Sequence, residues 1–391
     1  MINGIRKAIL ELDTYTPGRP IDDLLREVPG LERKGVVKLA SNENPLGPSP
    51  KAVAAVAKIL SGIHRYPEPT APLLRRRLAD LNDVTAESII VTSGVDEALR
   101  LIAEVLLEKT DVAVMSRFAF PRFRQHARLM GTGAVEVPMK AYRHDLQTMA
   151  HVAREAKAKA VFVANPNNPT GTFNTAAEMQ RFFSTLLGKA KPNGLAGDEP
   201  WVILDEAYHE FARDAYPRDY AESLPRYFEL YSKLIILRTF SKIAGLAGLR
   251  VGYAVANAQL TQFLHRARLI FNVNSLGQAA ALAALDDAAH IAKTLKAVKD
   301  GRLFLAAQFK NLGLEVVGPS AANFLLVRNS GTAAHRIYEN LLAEGLIVRP
   351  LDEPDLKEHW RVSIGTLEEN KRLIQALKGI VKSRRPVSSK R

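Results

Sequence analysis

Four short segments carry side chains able to do chemistry, and each closes or follows a strand-like apolar run. Lys242 lies in Arg238-Thr-Phe-Ser-Lys-Ile-Ala-Gly-Leu-Ala-Gly-Leu-Arg250, after the run 233–237 and among apolar residues. A lysine desolvated there loses proton affinity and becomes a better nucleophile, whereas a solvated one does neither. Thr239, Ser241 and Arg250 of the same segment add two hydroxyls and a guanidinium fork suited to an anion. Asp205-Glu206-Ala207-Tyr208 closes the run 201–204. A carboxylate at a buried strand end caps a helix, pairs with a base, or holds a heteroaromatic nitrogen protonated. Ala164-Asn-Pro-Asn-Asn-Pro-Thr-Gly171 follows the run 161–163. Its prolines fix a loop whose asparagines, Asn168 among them, offer donors, a composition that ordinary turns share. Thr92-Ser-Gly-Val-Asp-Glu97 precedes the helical pattern Ala98, Leu99, Ile102, Val105. Free backbone N–H groups at a helix start, with Gly94 allowing close approach, make an anion site; the same residues also suit a plain capped helix.

Such segments need a scaffold that gathers strand ends. The runs 88–92, 111–115, 160–164, 201–204, 233–237 and 250–254 are continuously apolar rather than alternating. That pattern suits strands buried on both faces of a parallel sheet, whose carboxyl ends border a ligand crevice, so the fold class is α/β. From about Ala288 the pattern changes to a long helix reaching Leu312, strand-like runs 314–317 and 323–327, and a closing helix over 368–377. This reads as a smaller C-terminal α+β domain. The first forty residues hold two Pro-Gly turns and no long periodic segment, as an arm would. The expected division is an N-terminal arm over 1–40, a large domain over 41–287, and a small domain with a basic tail over 288–391.

A length of 391 residues, 47% of them hydrophobic and 24% charged, also suggests about two domains. Without cysteine there are no disulfides, thiolate zinc sites or cysteine nucleophiles. No apolar run approaches a membrane span, and the N-terminus mixes charge into its apolar stretch unlike a signal or transit peptide, so a cytoplasmic protein is expected. The net charge is +13, and five positive groups belong to the tail 382–391, which reads as a solvated end rather than a nucleic-acid or membrane contact. Several motifs fail. Gly131-Thr-Gly133 lacks the third dinucleotide-binding glycine and leads into a strand-like run, and Arg213 stands where a second zinc-binding histidine would follow His209-Glu210. Neither a phosphate-binding P-loop nor a nucleophile-elbow sequence is present.

Taken in order and spacing, Asn-Pro-x-Asn-Pro-Thr-Gly, Asp-Glu-Ala-Tyr and Ser-Lys-x-x-Gly-Leu-Ala-Gly-Leu-Arg resemble the fold-type I aminotransferases dependent on pyridoxal 5'-phosphate. With Ser41-Asn-Glu-Asn-Pro-Leu-Gly-Pro, His64-Arg-Tyr-Pro, Phe271-Asn-Val-Asn-Ser-Leu and Gly345-Leu-Ile-Val-Arg-Pro, the similarity is closest to the histidinol-phosphate aminotransferases, from about Tyr15 to Thr366. The resemblance implies an aspartate aminotransferase-like large domain with a mostly parallel sheet. It implies that Lys242 binds the cofactor covalently and later moves the α-proton, that Asp205 pairs with the pyridine nitrogen, and that Tyr208 and Asn168 bond the ring oxygen. Phe120 would stack on the ring, where that subgroup usually has Tyr. The backbone of Gly94, Val95 and Asp96, with Thr239, Ser241 and Arg250, would hold the phosphate. Tyr66 would reach it from the other subunit of a homodimer. Arg361 would grip a carboxylate, with Arg349, Tyr15 and Asn42 on the substrate side. The implied reaction passes nitrogen from an amino donor to a 2-oxo acid, foremost between histidinol phosphate and 2-oxoglutarate. An aromatic or broad-specificity aminotransferase, or a phospho-amino-acid decarboxylase, would use the same scaffold.

Overall fold

The computed structural model describes residues 4–12, 18–28, 30–187 and 199–382. Tyr15 and the basic tail beyond Lys382 lie outside the described residues. The strands are β1 (Val37–Lys38), β2 (Ile89–Thr92), β3 (Val112–Ser116), β4 (Gly133–Val137), β5 (Ala160–Ala164), β6 (Trp201–Asp205), β7 (Leu234–Thr239) and β8 (Gly252–Val255), then β9 (Glu315–Val317), β10 (Phe324–Arg328), β11 (Leu346–Ile347), β12 (Arg349–Pro350) and β13 (His359–Ser363).

β2 to β8 form one seven-stranded sheet in the order β2-β8-β7-β6-β5-β3-β4. β7, β6, β5, β3 and β4 run parallel, whereas β8 is antiparallel to both its neighbours, β2 and β7. The apolar run at 250–254 therefore belongs to a reversed strand rather than a parallel one. Continuous apolarity reports burial on both faces and is blind to direction. That strand also starts two residues later than its apolar run, because Arg250 has a left-handed backbone, φ 55.

Successive strand residues enter two cores. Leu204, Ile236 and Val255 pack on one face with Val91 and Phe182, and Ile203, Leu237 and Ala254 on the other with Ile90, Leu99 and Phe123. Helix Val95–Leu106 lays Ala98, Leu99, Ile102 and Ala103 against the second face. It starts at Gly94, φ 77, where the Ser93 N–H is taken by the Glu97 carboxylate four residues on. Helix Pro121–Met130 starts with a proline in its first turn and ends at left-handed Gly131, both usual helix boundaries.

Helix Ala288–Asn311 leads away from this sheet and packs Val298, Leu305 and Phe309 against a second, antiparallel sheet of order β12-β13-β10-β9. The N-terminal segment is short helices and extended chain, and its last part is anchored. β1 pairs in parallel with β11, and Leu24, Leu31 and Ala40 pack against Leu342 and Ile347. Among the described residues, no helix is long and apolar enough to cross a membrane.

Candidate active site

The carboxyl ends of β5, β6 and β7 open onto a cavity of about 320 Å³, within the range of small-molecule sites. Its floor holds Lys242, just beyond β7. The Lys242 Nζ donates to the Ser41 carbonyl at 3.1 Å and lies 5.9 Å from the centre of the Tyr208 ring. Burial, and next the Arg361 charge, lower its pKa to about 8, with Glu43 and Asp205 pulling the other way. Such an amine is partly neutral near physiological pH and therefore nucleophilic.

Asp205 closes β6 and is 6% exposed. Its Oδ1 accepts the Ala207 N–H at 2.9 Å. Burial pushes its pKa up to about 6, Glu206 adding to the rise while the Ala207 N–H and Lys242 oppose it. A carboxylate desolvated to this degree favours a cationic or proton-bearing partner in the cavity. Tyr208 accepts at its hydroxyl from Asn42 Nδ2 at 2.9 Å. Asn42, in left-handed conformation at φ 54, is held in turn by its own N–H donating to Ser363 Oγ at 2.7 Å.

An anion cup forms beside them. Helix Val95–Leu106 has no side-chain cap on its first turn, so the N–H groups from Val95 onward can meet an anion, whereas the Gly94 N–H donates to the Thr92 carbonyl at 2.8 Å. Arg250 lies against Gly94 so closely that a Cβ there would meet Arg250 Nη2 at 2.5 Å. Thr239 and Ser241 stand on the β7 side, the Ser241 N–H donating to Thr239 Oγ1 at 3.1 Å. Asp96 turns its carboxylate away, to Arg122 at 2.8 Å and His126 at 3.0 Å, leaving only its backbone for an anion.

On the opposite wall, Arg361 of β13 donates to Asn168 Oδ1 and, from Nη2, to the Ala40 carbonyl at 2.6 Å. Arg349 of β12 is its register partner, and both guanidinium-bearing residues line the cavity with Phe120, Asn42 and Asn168. Among the sequence candidates, Val95, Asp205, Tyr208, Thr239, Ser241, Lys242 and Arg250 line it as well. Tyr66 does not. It is 82% exposed and stacks on Phe271, ring centres 4.6 Å apart.

Sequence reading missed three contributors. Gly252 sits in register between Thr92 and Thr239, where a Cβ would stand 2.9 Å from both Gly94 C and Val95 N, so β8 can approach the cup only with glycine there. A lone glycine within a strand pattern is the signal for such an approach. Gly245, φ 70, has the Gly47 carbonyl oxygen 2.1 Å from its would-be Cβ, which seats the 41–48 segment over the lysine turn. Glu43 lines the cavity near Lys242, and only tertiary contact discloses it.

A desolvated lysine, a buried carboxylate at the neighbouring strand end and a helix start without a side-chain cap thus converge on one cavity. Residues 34–377 match the family "Aminotransferase class I and II", and the chain belongs to it: it is a pyridoxal-phosphate-dependent aminotransferase. More particularly, it is 41% identical over 377 residues to histidinol-phosphate aminotransferase of Symbiobacterium thermophilum, covering 96% of this chain and 98% of that one. It is also 41% identical to histidinol-phosphate aminotransferase of Moorella thermoacetica, over 96% of this chain and 92% of that protein. The crystal structure of histidinol-phosphate aminotransferase from Sinorhizobium meliloti in complex with pyridoxal-5'-phosphate superposes with a TM-score of 0.84 at 26% identity, covering 98% of this chain and 99% of that one. The fold is the aspartate aminotransferase-like one that the motifs imply.

Proposed function

We propose that this aminotransferase exchanges the amino group of histidinol phosphate with 2-oxoglutarate, giving imidazole-acetol phosphate and glutamate, and that it works as a cytoplasmic homodimer. The observation that carries the substrate reading is the charge of the cavity. Lys242, Arg250, Arg349 and Arg361 converge there against the carboxylates Asp205 and Glu43. With Arg250 beside the helix start for the cofactor phosphate, Arg349 and Arg361 bring two further positive charges to the substrate side, matching a phosphate in one half-reaction and carboxylates in the other.

Pyridoxal phosphate supplies, when bound, an aldehyde and an electron-withdrawing ring. The buried Asp205 carboxylate holds a proton at the ring nitrogen. Tyr208, itself steadied by Asn42, and Asn168 donate to the ring oxygen. Phe120 covers the ring face. The N–H groups of Val95 and Asp96, the hydroxyls of Thr239 and Ser241 and the Arg250 fork would retain the phosphate, and the Gly94 N–H would join them on turning from the Thr92 carbonyl, to which it donates at 2.8 Å. Lys242, with a pKa near 8, would hold the cofactor through Nζ and would take and return the substrate's α-proton. Arg361 and Arg349 would orient the substrate so that its α-carbon–hydrogen bond faces Nζ, a contribution of positioning. The same reading keeps the division into an arm over 1–40, a large domain over 41–287 and a small domain over 288–391.

The dimer reading is supported by apolar side chains open to solvent beside Tyr66, with Leu269 and Ile270 each 74% exposed. A second subunit would cover them and receive the Tyr66 hydroxyl at its own cofactor phosphate. A fully active monomer in sedimentation would refute it. Turnover with 2-oxoglutarate tests the substrate: histidinol phosphate should far outpace both histidinol and phenylalanine, and equal rates with and without the phosphate would overturn the assignment.

A further inference from the structure

The residue after Asp205 and the residue before Thr239 meet on the reverse face of the sheet. Glu206 and Arg238 are 1% and 5% exposed. Arg238 donates to Glu206 Oε2 from Nε at 3.0 Å and from Nη2 at 2.7 Å, while its Nη1 donates to Asn82 Oδ1 at 2.7 Å. The other carboxylate oxygen, Oε1, accepts the Ser223 N–H at 3.1 Å. The strands beneath are directly paired, Asp205 opposite Leu237, with the Glu206 N–H donating to the Leu237 carbonyl at 2.9 Å. One ion pair thus ties together the two strand ends that present Asp205 on one side and Thr239, followed by Lys242, on the other. A buried ion pair is a weak source of stability, because desolvation offsets most of the attraction. Its place at the two functional strand ends calls for a different account.

We propose that Glu206 and Arg238 are a positioning pair for the transamination site, holding the β6 and β7 ends in register and keeping the charge behind Asp205 balanced when pyridoxal phosphate is bound. This rests on the cofactor roles proposed above for Asp205 and Lys242. Glu206 alone would raise the proton affinity of its neighbour Asp205, whose other charged neighbour is Lys242. Arg238 sets a positive charge directly against that carboxylate, 2.7 Å away. Burial works against its own ionisation, but Glu206 more than offsets this and holds Arg238 firmly protonated. Of the other groups around the pair, burial keeps His209 and Tyr220 uncharged and raises Glu210 to about 7, Tyr253 and Asn82 are neutral, and Glu222, paired with Arg213 at 2.6 Å, also stands 3.8 Å from Arg238 Nη2.

The test uses the holoenzyme and follows the pH midpoint at which the bound cofactor's visible absorbance changes, beside kcat and KM. Glu206→Gln leaves the buried Arg238 cation facing Glu222, 3.8 Å away and shared with Arg213, in place of its direct partner, so the midpoint should fall by on the order of one pH unit. Its kcat should drop roughly 10- to 100-fold while KM stays within about threefold, the pattern of a misplaced reacting group. The double variant Glu206→Gln, Arg238→Gln removes both charges and should bring the midpoint back to that of the wild type. If Glu206→Gln does not fold, Glu206→Asp keeps the charge with a shorter reach, and should lower kcat at an unchanged midpoint. A Glu206→Gln holoenzyme with the wild-type midpoint, or a Glu206→Asp enzyme with wild-type kcat, overturns the inference alone. A wild-type protein that shows no cofactor absorbance overturns the reading of the site along with it.

Discussion

Asp205→Asn should act in opposite directions on the empty and the loaded protein. In the apoprotein the Asp205 carboxyl has its pKa raised by burial from 3.8 to about 6. Between those values the native state holds a proton that the unfolded chain has released. The group therefore favours the fold at low pH, and this contribution is lost as pH rises through about 6. The full difference is about 3 kcal/mol, of which roughly half has been lost by about pH 5 and the rest by about pH 8. An asparagine in its place can still accept the Ala207 N–H, and it carries no charge to desolvate. The apo variant should thus be more stable than the wild type at about pH 8 by about 1–3 kcal/mol, and the gap should shrink by about 1–1.5 kcal/mol at about pH 5. Urea unfolding of both apoproteins at the two pH values reads this directly. In the holoenzyme the sign reverses: the variant should keep the cofactor but slow the half-reaction with glutamate, because a neutral amide does not favour a protonated ring nitrogen. An apo variant less stable than wild type at about pH 8, or a gap that does not change with pH, would show that Asp205 is not the costly buried charge described here.

The lowered pKa of Lys242 predicts that the apoenzyme captures pyridoxal phosphate at a rate rising with pH around a midpoint near 8, rather than near the 10.5 of an ordinary lysine. Lys242→Ala should fold and show no such capture, and turnover at the wild-type rate would refute its role. Gly252→Ala places a Cβ 2.9 Å from two backbone atoms of the cup. It should weaken cofactor retention by roughly tenfold or more through overpacking, measured by dialysis against free cofactor. Arg349→Ala should cost on the order of 2–4 kcal/mol in kcat/KM, roughly 30- to 1,000-fold, for histidinol phosphate and far less for an unphosphorylated amino acid. Equal losses would favour a broad-specificity enzyme.

The chemistry of the site was legible in the sequence because its main parts are local. Lys242 comes three residues after β7 ends, Asp205 is the last residue of β6, and Gly94 is the cap of its helix. Each is therefore announced by the apolar run or helical pattern beside it, since strand and helix boundaries are short-range signals. The long helix over 288–311 was legible for the same reason. The direction of β8 was not, because an apolar run buried on both faces has the same composition whichever way it runs. Nor was the anchoring of the N-terminal segment through β1 and β11, whose partners are separated by some three hundred residues. The lowered pKa of Lys242 and the raised one of Asp205 depend on how completely water is excluded and on charges that the fold brings in, Arg361 and Glu43 to Lys242 and Lys242 to Asp205. The need for glycine at 252 arises only when β8 is laid between β2 and β7 with Gly94 against it. Residue types and their local spacing determined which groups could react; the tertiary structure decided their ionisation and mutual approach, because both are set by neighbours that are distant in the chain and close in space.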